Sequence, residues 1–228
     1  MKVIILAGGK GTRLPHSARD MPKALVPVGP QTILGHMIEG LKRHGLTDIR
    51  LALGFRAEAI INFLNVQGYA CEYVVEPEPL GTGGAAKYAS ADVVGPFMVL
   101  NGDIIVDFDY SAIVRAHQPG TALLVSYWKD DNRDYGFLRI EGDQVREFLE
   151  KPAEPQSGFI NAGCTIFEPQ HVHSVPKRSF MLETEVYPAL ARQGLLKTIR
   201  HEGFFEDVGT EERLARFRNS LHEIRLRP

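Results

Sequence analysis

Residues 1–23 read MKVIILAGGKGTRLPHSARDMPK: a short apolar run, Val3–Leu6, breaks into Gly8, Gly9 and Gly11, with Arg13 and then Lys23 following. A continuous apolar run that stops at glycines predicts a buried strand opening onto a loop whose backbone N–H groups can approach a ligand closely. Such a cluster of donors flanked by fixed positive charge suits phosphate oxygens. An ordinary tight strand-to-helix turn uses the same glycines, so the rest of the chain must decide between the two.

Working outward, apolar runs alternate with amphipathic stretches of helical length. Val3–Leu6 precedes Ile33–His44, Ile49–Leu53 precedes Ala57–Leu64, Tyr73–Val75 precedes Gly83–Ala91, and Phe97–Leu100 precedes Tyr110–His117. Strands without polar alternation are buried on both faces, which predicts a parallel sheet covered by helices. After Thr121–Trp128 the rhythm changes: Tyr135–Ile140, a turn at Glu141–Gln144 and Val145–Leu149 read as a hairpin. Phe159–Phe167 and Leu196–His201 read as strands, Leu182–Gln193 as a helix, and a last helix runs from Thr210 to about Leu226. The fold class expected is α/β, with a Rossmann-like, mixed but mainly parallel sheet and helices on both faces. A single domain over 1–228 is expected, its nucleotide-binding part about 1–130 and its second part about 131–228.

Bulk composition narrows the partners. The 228 residues are 44% hydrophobic, enough for a sizeable core, and 26 Lys and Arg nearly cancel 28 Asp and Glu. No overall attraction to nucleic acid or to a membrane surface is indicated, so any basic site is local. Two cysteines, Cys71 and Cys164, are too few for a disulfide framework and are expected to be buried free thiols in a reducing, cytoplasmic setting. Residues 2–7 are too short to span a membrane and lack a signal-peptide cleavage pattern.

In an open α/β sheet, ligands lie beyond the carboxyl ends of the strands. The residues there are small or acidic: Gly8, Gly9 and Gly11 after the first strand, Glu76–Gly84 after the third, Asn101–Gly102–Asp103 after the fourth. The P-loop pattern is absent, and the dinucleotide pattern fails because Leu14 stands where its last glycine belongs. No acidic residue closes the second strand either, since Ile49–Leu53 runs into Gly54–Phe55–Arg56, which disfavours a nicotinamide enzyme.

The segments GGKGTRL (8–14), Pro22–Lys23, EPLGTGG (78–84), LNGD (100–103), DYG (134–136), FLEKP (148–152), INAG (160–163), Leu182–Glu183 and EDVGT (206–210) occur in order along nearly the whole chain. In these the sequence resembles the sugar-1-phosphate nucleotidyltransferases. EPLGTGGA, DYG and the short length are most similar to the D-glycero-α-D-manno-heptose 1-phosphate guanylyltransferases. The resemblance implies attack by the phosphate of a sugar 1-phosphate on the α-phosphorus of a nucleoside triphosphate, GTP for the heptose enzymes, with loss of pyrophosphate. A mannose-1-phosphate guanylyltransferase, or a uridylyl- or cytidylyltransferase acting on a hexose 1-phosphate, is the alternative within the class. A non-catalytic nucleotide-sugar sensor is the alternative outside it. A phosphate monoester is mostly dianionic at neutral pH, with a second pKa of ~6, so no general base is required. The obstacle is bringing two anions into line, which calls for positioning and charge neutralisation.

The resemblance further implies roles for individual residues. Leu6, Ala7, Gly8, Gly9, Gly11 and Thr12 receive the nucleotide, with Glu76, Glu78, Gly81 and Thr82 near the base. Arg13 neutralises the departing pyrophosphate, and Lys23 bridges the α-phosphate and the sugar phosphate. Asp103 and Asp207 hold Mg²⁺, which prefers carboxylate, water and phosphate oxygens. Tyr135, Gly136, Glu150, Lys151, Asn161 and Glu183 line the sugar-phosphate pocket. Guanine presents adjacent N1–H and N2–H donors that one carboxylate can accept together, and either Glu76 or Glu78 could supply it. Read from the residues alone, Asp103 is also a turn residue and Asp207 a helix cap.

Other features carry ordinary expectations. Asp109 precedes the helix at Tyr110 as an N-cap, and His171 and His173 sit on a surface helix without a metal-ligand pattern. Arg213, Arg216, Arg218, Arg225 and Arg227, among Glu211, Glu212 and Glu223, read as a solvated helical face. Many relatives append a left-handed β-helix, which this chain lacks, so acyltransferase activity is not expected. A homo-oligomer is compatible with the sequence, and a heptose donor would feed lipopolysaccharide, capsule or an S-layer glycan.

Overall fold

The computed structural model describes residues 1–9, 21–151, 157–208, 212–214 and 217. The chain begins with β1 (Val3–Ala7), a 3-10 turn (Lys23–Leu25), the short hairpin of β2 (Pro27–Val28) and β3 (Gln31–Thr32), and α1 (Ile33–Arg43). Next come β4 (Ile49–Leu53), α2 (Ala57–Gln67), β5 (Glu72–Val75), α3 (Gly81–Ala89), β6 (Phe97–Asn101), β7 (Ile104–Val106) and α4 (Tyr110–Ala116). The second half contains β8 (Ala122–Lys129), β9 (Gly136–Glu141), β10 (Gln144–Glu150), β11 (Gly158–Phe167) and α5 (Pro169–His173). A π-helical turn (Leu182–Val186), α6 (Tyr187–Arg192), β12 (Leu196–His201) and β13 (Phe205–Asp207) complete it.

Nine strands form one mixed sheet in the order β5-β4-β1-β6-β11-β8-β12-β10-β9. The first four are parallel, as their uninterrupted apolar runs require, and β1 lies between β4 and β6. The chain leaves β1 toward β4 on one side and returns to β6 on the other. That reversal opens a crevice at the carboxyl end of β1. β11 then runs antiparallel to β6 and β8, while β9 pairs with both β10 and β11. The second half therefore closes a circuit of pairings, helped by a bulge in β11 between Asn161 and Thr165 that bends the strand.

Helices cover both faces. Val3 and Ile5 belong to one buried core with Leu34 and Ile38 of α1, Ile60 of α2 and Ile113 of α4, whereas Ile4 belongs to the other, with Ala86 of α3, Val172 of α5 and Leu190 of α6. In α1 the buried residues Ile33, Leu34, Met37, Ile38 and Leu41 repeat at helical spacing, and the Thr32 hydroxyl caps it by accepting from Gly35 N at 3.0 Å. Each such side chain contributes roughly 1.5–3 kcal/mol by leaving water.

Several expectations shift. The helix expected over Leu182–Gln193 is instead a π-helical turn running into α6, because Pro188 has no N–H to close the ordinary helical ring at that point. Cys164 is buried, but Cys71 is only half-buried. His171 is buried rather than on a surface, its Nδ1 accepting from Glu168 N at 3.2 Å to cap α5. Asp109 caps α4 as expected, accepting from Ala112 N at 2.8 Å. The last helix lies mostly outside the described residues, though Leu214 and Phe217 are helical and buried. Among the described residues no helix is long and apolar enough to cross a membrane.

Candidate active site

A cleft of about 670 Å³ opens at the carboxyl ends of β1, β4, β5 and β6, where the strand order reverses. Its walls include Leu6, Ala7, Gly8 and Gly9 after β1, Gly54 and Phe55 after β4, Glu76–Leu80 after β5, and Asn101–Gly102–Asp103 after β6. The nucleotide-side residues of the sequence reading that are described all border it. Gly11, Thr12 and Arg13 lie outside the described residues.

The space around Gly8 is tight. A Cβ there would sit 2.8 Å from Glu76 Oε1 and 3.2 Å from Gly54 N, and Gly8 O accepts from Phe55 N at 3.1 Å. Glu76 is therefore brought against the glycine loop. Its Oε2 accepts from Leu80 N at 3.1 Å, and burial pushes its carboxyl above the ordinary carboxylate range despite that donation. Glu78 stands farther out, exposed and 3.4 Å from Arg178 Nη1.

Lys23 enters the cleft from the 3-10 turn, anchored by buried Ala24 and by Val26 N donating to Lys23 O at 3.0 Å. Its ammonium pairs directly with Asp103 Oδ2, and the lysine is the more buried partner. Asp103 and Asp207, 104 positions apart in the chain, are neighbours in space. β13 runs antiparallel to β7 with Asp207 opposite Ile104, and Val208 N donates to Asp103 O at 3.1 Å. Three-residue strands achieve this, and neither has a sequence signature.

Arg213 corrects the reading of a solvated arginine face. Its side chain is only 12% exposed, donates to Asp207 Oδ2 at 2.7 Å and Asp134 Oδ2 at 2.5 Å, and lies over the Tyr135 ring at 4.8 Å. Charged sequence neighbours concealed it. Tyr135 packs against Phe205 as well, and burial together with the Asp207 charge raises its hydroxyl pKa.

The remaining sugar-side residues form a second group that does not border the cleft described above. Gly136 pairs with Glu150 across β9 and β10, and Lys151, in the left-handed region at φ 49°, donates its N–H to Tyr135 O at 3.2 Å. Lys151 Nζ is 3.6 Å from Glu150 Oε1. Asn161 lies at the β11 bulge, where its Oδ1 accepts from Gly163 N at 2.9 Å. Glu183, on the π-helical turn, links the groups: Thr82 Oγ1 donates to its Oε2 at 2.5 Å.

The glycines of the 81–84 stretch have a role in packing. A Cβ on Gly81 would meet Phe180 O at 2.6 Å, one on Gly83 the Phe180 ring at 2.3 Å, and one on Gly84 Arg178 O at 2.4 Å. Gly84→Ala is expected to destabilise the fold by about 1–3 kcal/mol through overpacking against backbone, read as a lower denaturant midpoint at constant slope. An unchanged midpoint would mean that the 178–181 segment yields freely.

Burial, and next the nearby Glu183 charge, raise the Glu150 pKa. A carboxyl that holds its proton more tightly when folded makes stability fall as pH rises from the ordinary value of ~4.3 to the raised one. Glu150→Gln has no such cost. Its thermal midpoint is expected to match wild type near pH 3 and to exceed it above the raised value; a difference independent of pH would contradict the assignment.

Comparison with known proteins gives the chain a family. The family model described as nucleotidyl transferase matches residues 2–223, and the chain belongs to that family. It is 34% identical over 223 residues to the mannose-1-phosphate guanyltransferase of Emericella nidulans, covering 92% of this chain but 61% of that protein. The chain thus spans about three fifths of the length of that relative. The solved structure of HddC from Yersinia pseudotuberculosis matches with TM-score 0.85 and 30% identity, over 96% of this chain and 98% of that one. A second structure of HddC, complexed with GMP-PN, matches with TM-score 0.84 and 29% identity over the same shares.

Proposed function

We propose that the protein is a sugar-1-phosphate guanylyltransferase, joining a sugar 1-phosphate to GTP to give a GDP-sugar and pyrophosphate, with D-glycero-α-D-manno-heptose 1-phosphate as the sugar substrate. The observation that carries the reading is the Lys23–Asp103 pair in the glycine-loop cleft at the switch point of the sheet, with the backbone of Asp207 brought next to Asp103 by the pairing of β7 and β13. A lone binding module has no need of a cation and two strand-end carboxylates where two phosphates must meet. Guanine is supported by the GMP-PN complex of HddC and by the guanyltransferase name of the fungal relative. The heptose is supported by the EPLGTGGA and DYG resemblance and by near-complete mutual coverage with HddC. The fungal relative's name favours mannose 1-phosphate as the second reading.

In this reading an oxygen of the sugar phosphate attacks the α-phosphorus while the bond to the β-phosphate oxygen breaks, and pyrophosphate leaves with both electrons. The backbone of Leu6–Gly9, with Gly11 and Thr12, receives the nucleotide. Arg13 faces the departing pyrophosphate. Lys23 exchanges Asp103 for the α-phosphate and the incoming sugar phosphate, and so holds two anions at contact distance. Glu76 or Glu78 accepts from the guanine N1–H and N2–H, with Gly81 and Thr82 walling that side. Tyr135, Gly136, Glu150, Asn161 and Glu183 bind the sugar, and Lys151 holds its phosphate.

The donor set of Asp103 and Asp207 fits Mg²⁺, a hard cation bound by one or two carboxylates plus phosphate oxygens and water. Among the described residues no group of three or more His, Cys, Asp or Glu side chains is placed to hold a metal ion. When bound, Mg²⁺ would supply charge neutralisation at the phosphates. Arg213 holds Asp207 in place through its Oδ2.

The reading is tested by measuring nucleotide-sugar formation for GTP, CTP, UTP, dTTP and ATP against heptose, mannose and glucose 1-phosphates. Turnover confined to GTP with the heptose phosphate is expected. Efficient turnover with mannose 1-phosphate would replace the heptose by the second reading, and turnover with a pyrimidine triphosphate would overturn guanine.

A further inference from the structure

Thr82 stands at the boundary between the two halves of the site. Its hydroxyl carries one proton, donated to Glu183 Oε2 at 2.5 Å, and it accepts from Leu182 N at 2.9 Å. Both partners belong to the π-helical turn, a feature that recurs at functional sites. The segment leading into that turn is bound to the same helix end: Phe180 N donates to Leu80 O at 3.0 Å, and Gly83 N and Gly84 N donate to Phe180 O at 3.0 and 3.1 Å. The start of α3 and the 180–183 segment therefore hold together as one unit.

We propose that Thr82 is a positioning residue for the sugar half: its hydroxyl aims the Glu183 carboxylate into the sugar pocket and makes sugar-phosphate recognition depend on the nucleotide-side helix α3. The proposal rests on the reading of Glu183 as a sugar contact. Holding one carboxylate oxygen leaves the other to accept from a sugar hydroxyl. The hold matters because Glu150 lies close enough for like-charge repulsion to act on it. Without the Thr82 proton, Glu183 turns away from Glu150 and the pair of acceptors is lost. The role also explains why a threonine follows Gly81 in a stretch otherwise made of glycines packed against the 178–181 segment.

The test compares Thr82→Val, which keeps the shape and removes both hydrogen bonds, with Thr82→Ser, which keeps the hydroxyl. For each, KM for the sugar 1-phosphate, kcat, and the Kd for GTP and for the sugar 1-phosphate by calorimetry are measured. Thr82→Val is expected to raise the KM and Kd for the sugar 1-phosphate about tenfold or more, the worth of a hydrogen bond to a charged group, and to weaken GTP, whose cleft Thr82 also borders, by a clearly smaller factor. Thr82→Ser recovers most of the loss. Equal losses for GTP and sugar phosphate, or no loss for either, would overturn the positioning role while wild-type turnover upholds the function. A wild-type protein that binds no sugar phosphate would overturn both.

Discussion

Replacing Lys23 with alanine is expected to lower kcat by about a thousandfold, the upper range for removing one preorganised group aimed at developing charge. The substitution takes away the one described cation whose partner, Asp103, lies beside the glycine loop, and leaves two phosphates to approach without it. Stability is expected to change by no more than about 1 kcal/mol, because the pair with Asp103 is partly solvated. Lys23→Arg is expected to recover only part of the loss, since a planar fork cannot replace a compact ammonium between two anions. A Lys23→Ala enzyme within tenfold of wild type would remove the bridging role.

Asp103→Asn is expected to lower kcat by about a hundredfold to a thousandfold, equivalent to several kcal/mol of charge stabilisation at the phosphates. It is also expected to shift half-maximal activity to higher Mg²⁺ concentration. The fold is expected to survive, because the backbone oxygen of residue 103 still accepts from Val208 N and the side chain keeps its shape. An unchanged Mg²⁺ requirement would move the metal away from Asp103.

The parallel half of the fold was legible because Val3–Leu6, Ile49–Leu53 and Phe97–Leu100 are apolar on both faces, and burial of both faces demands helices above and below. The cleft followed from the same reasoning, since glycines and acids cluster directly after those strands. What escaped was long-range. β7 and β13 are three residues each, too short for any periodicity, so the nearness of Asp103 and Asp207 that their pairing creates was implied only by the family resemblance. Arg213 looked solvated because its neighbours in sequence are charged, whereas its partners in space are Asp134 and Asp207. The Glu76–Gly84 stretch was legible as a segment following a strand, but its glycines at 81, 83 and 84 leave space that the segment at 178–181 fills. Proline at 188 was visible, though its effect on the preceding turn was not.

The central claim is that Lys23, Asp103 and Asp207 serve transfer of a nucleotidyl group to a sugar phosphate. Phosphorus NMR of one mixture of GTP, D-glycero-α-D-manno-heptose 1-phosphate, Mg²⁺ and enzyme tests it most directly. The account predicts that a nucleotide-sugar diphosphate and pyrophosphate appear together in equal amounts, and that neither forms with EDTA or without the sugar phosphate. Pyrophosphate released without the sugar phosphate, orthophosphate as the product, or an unchanged spectrum after repetition with mannose 1-phosphate would contradict it.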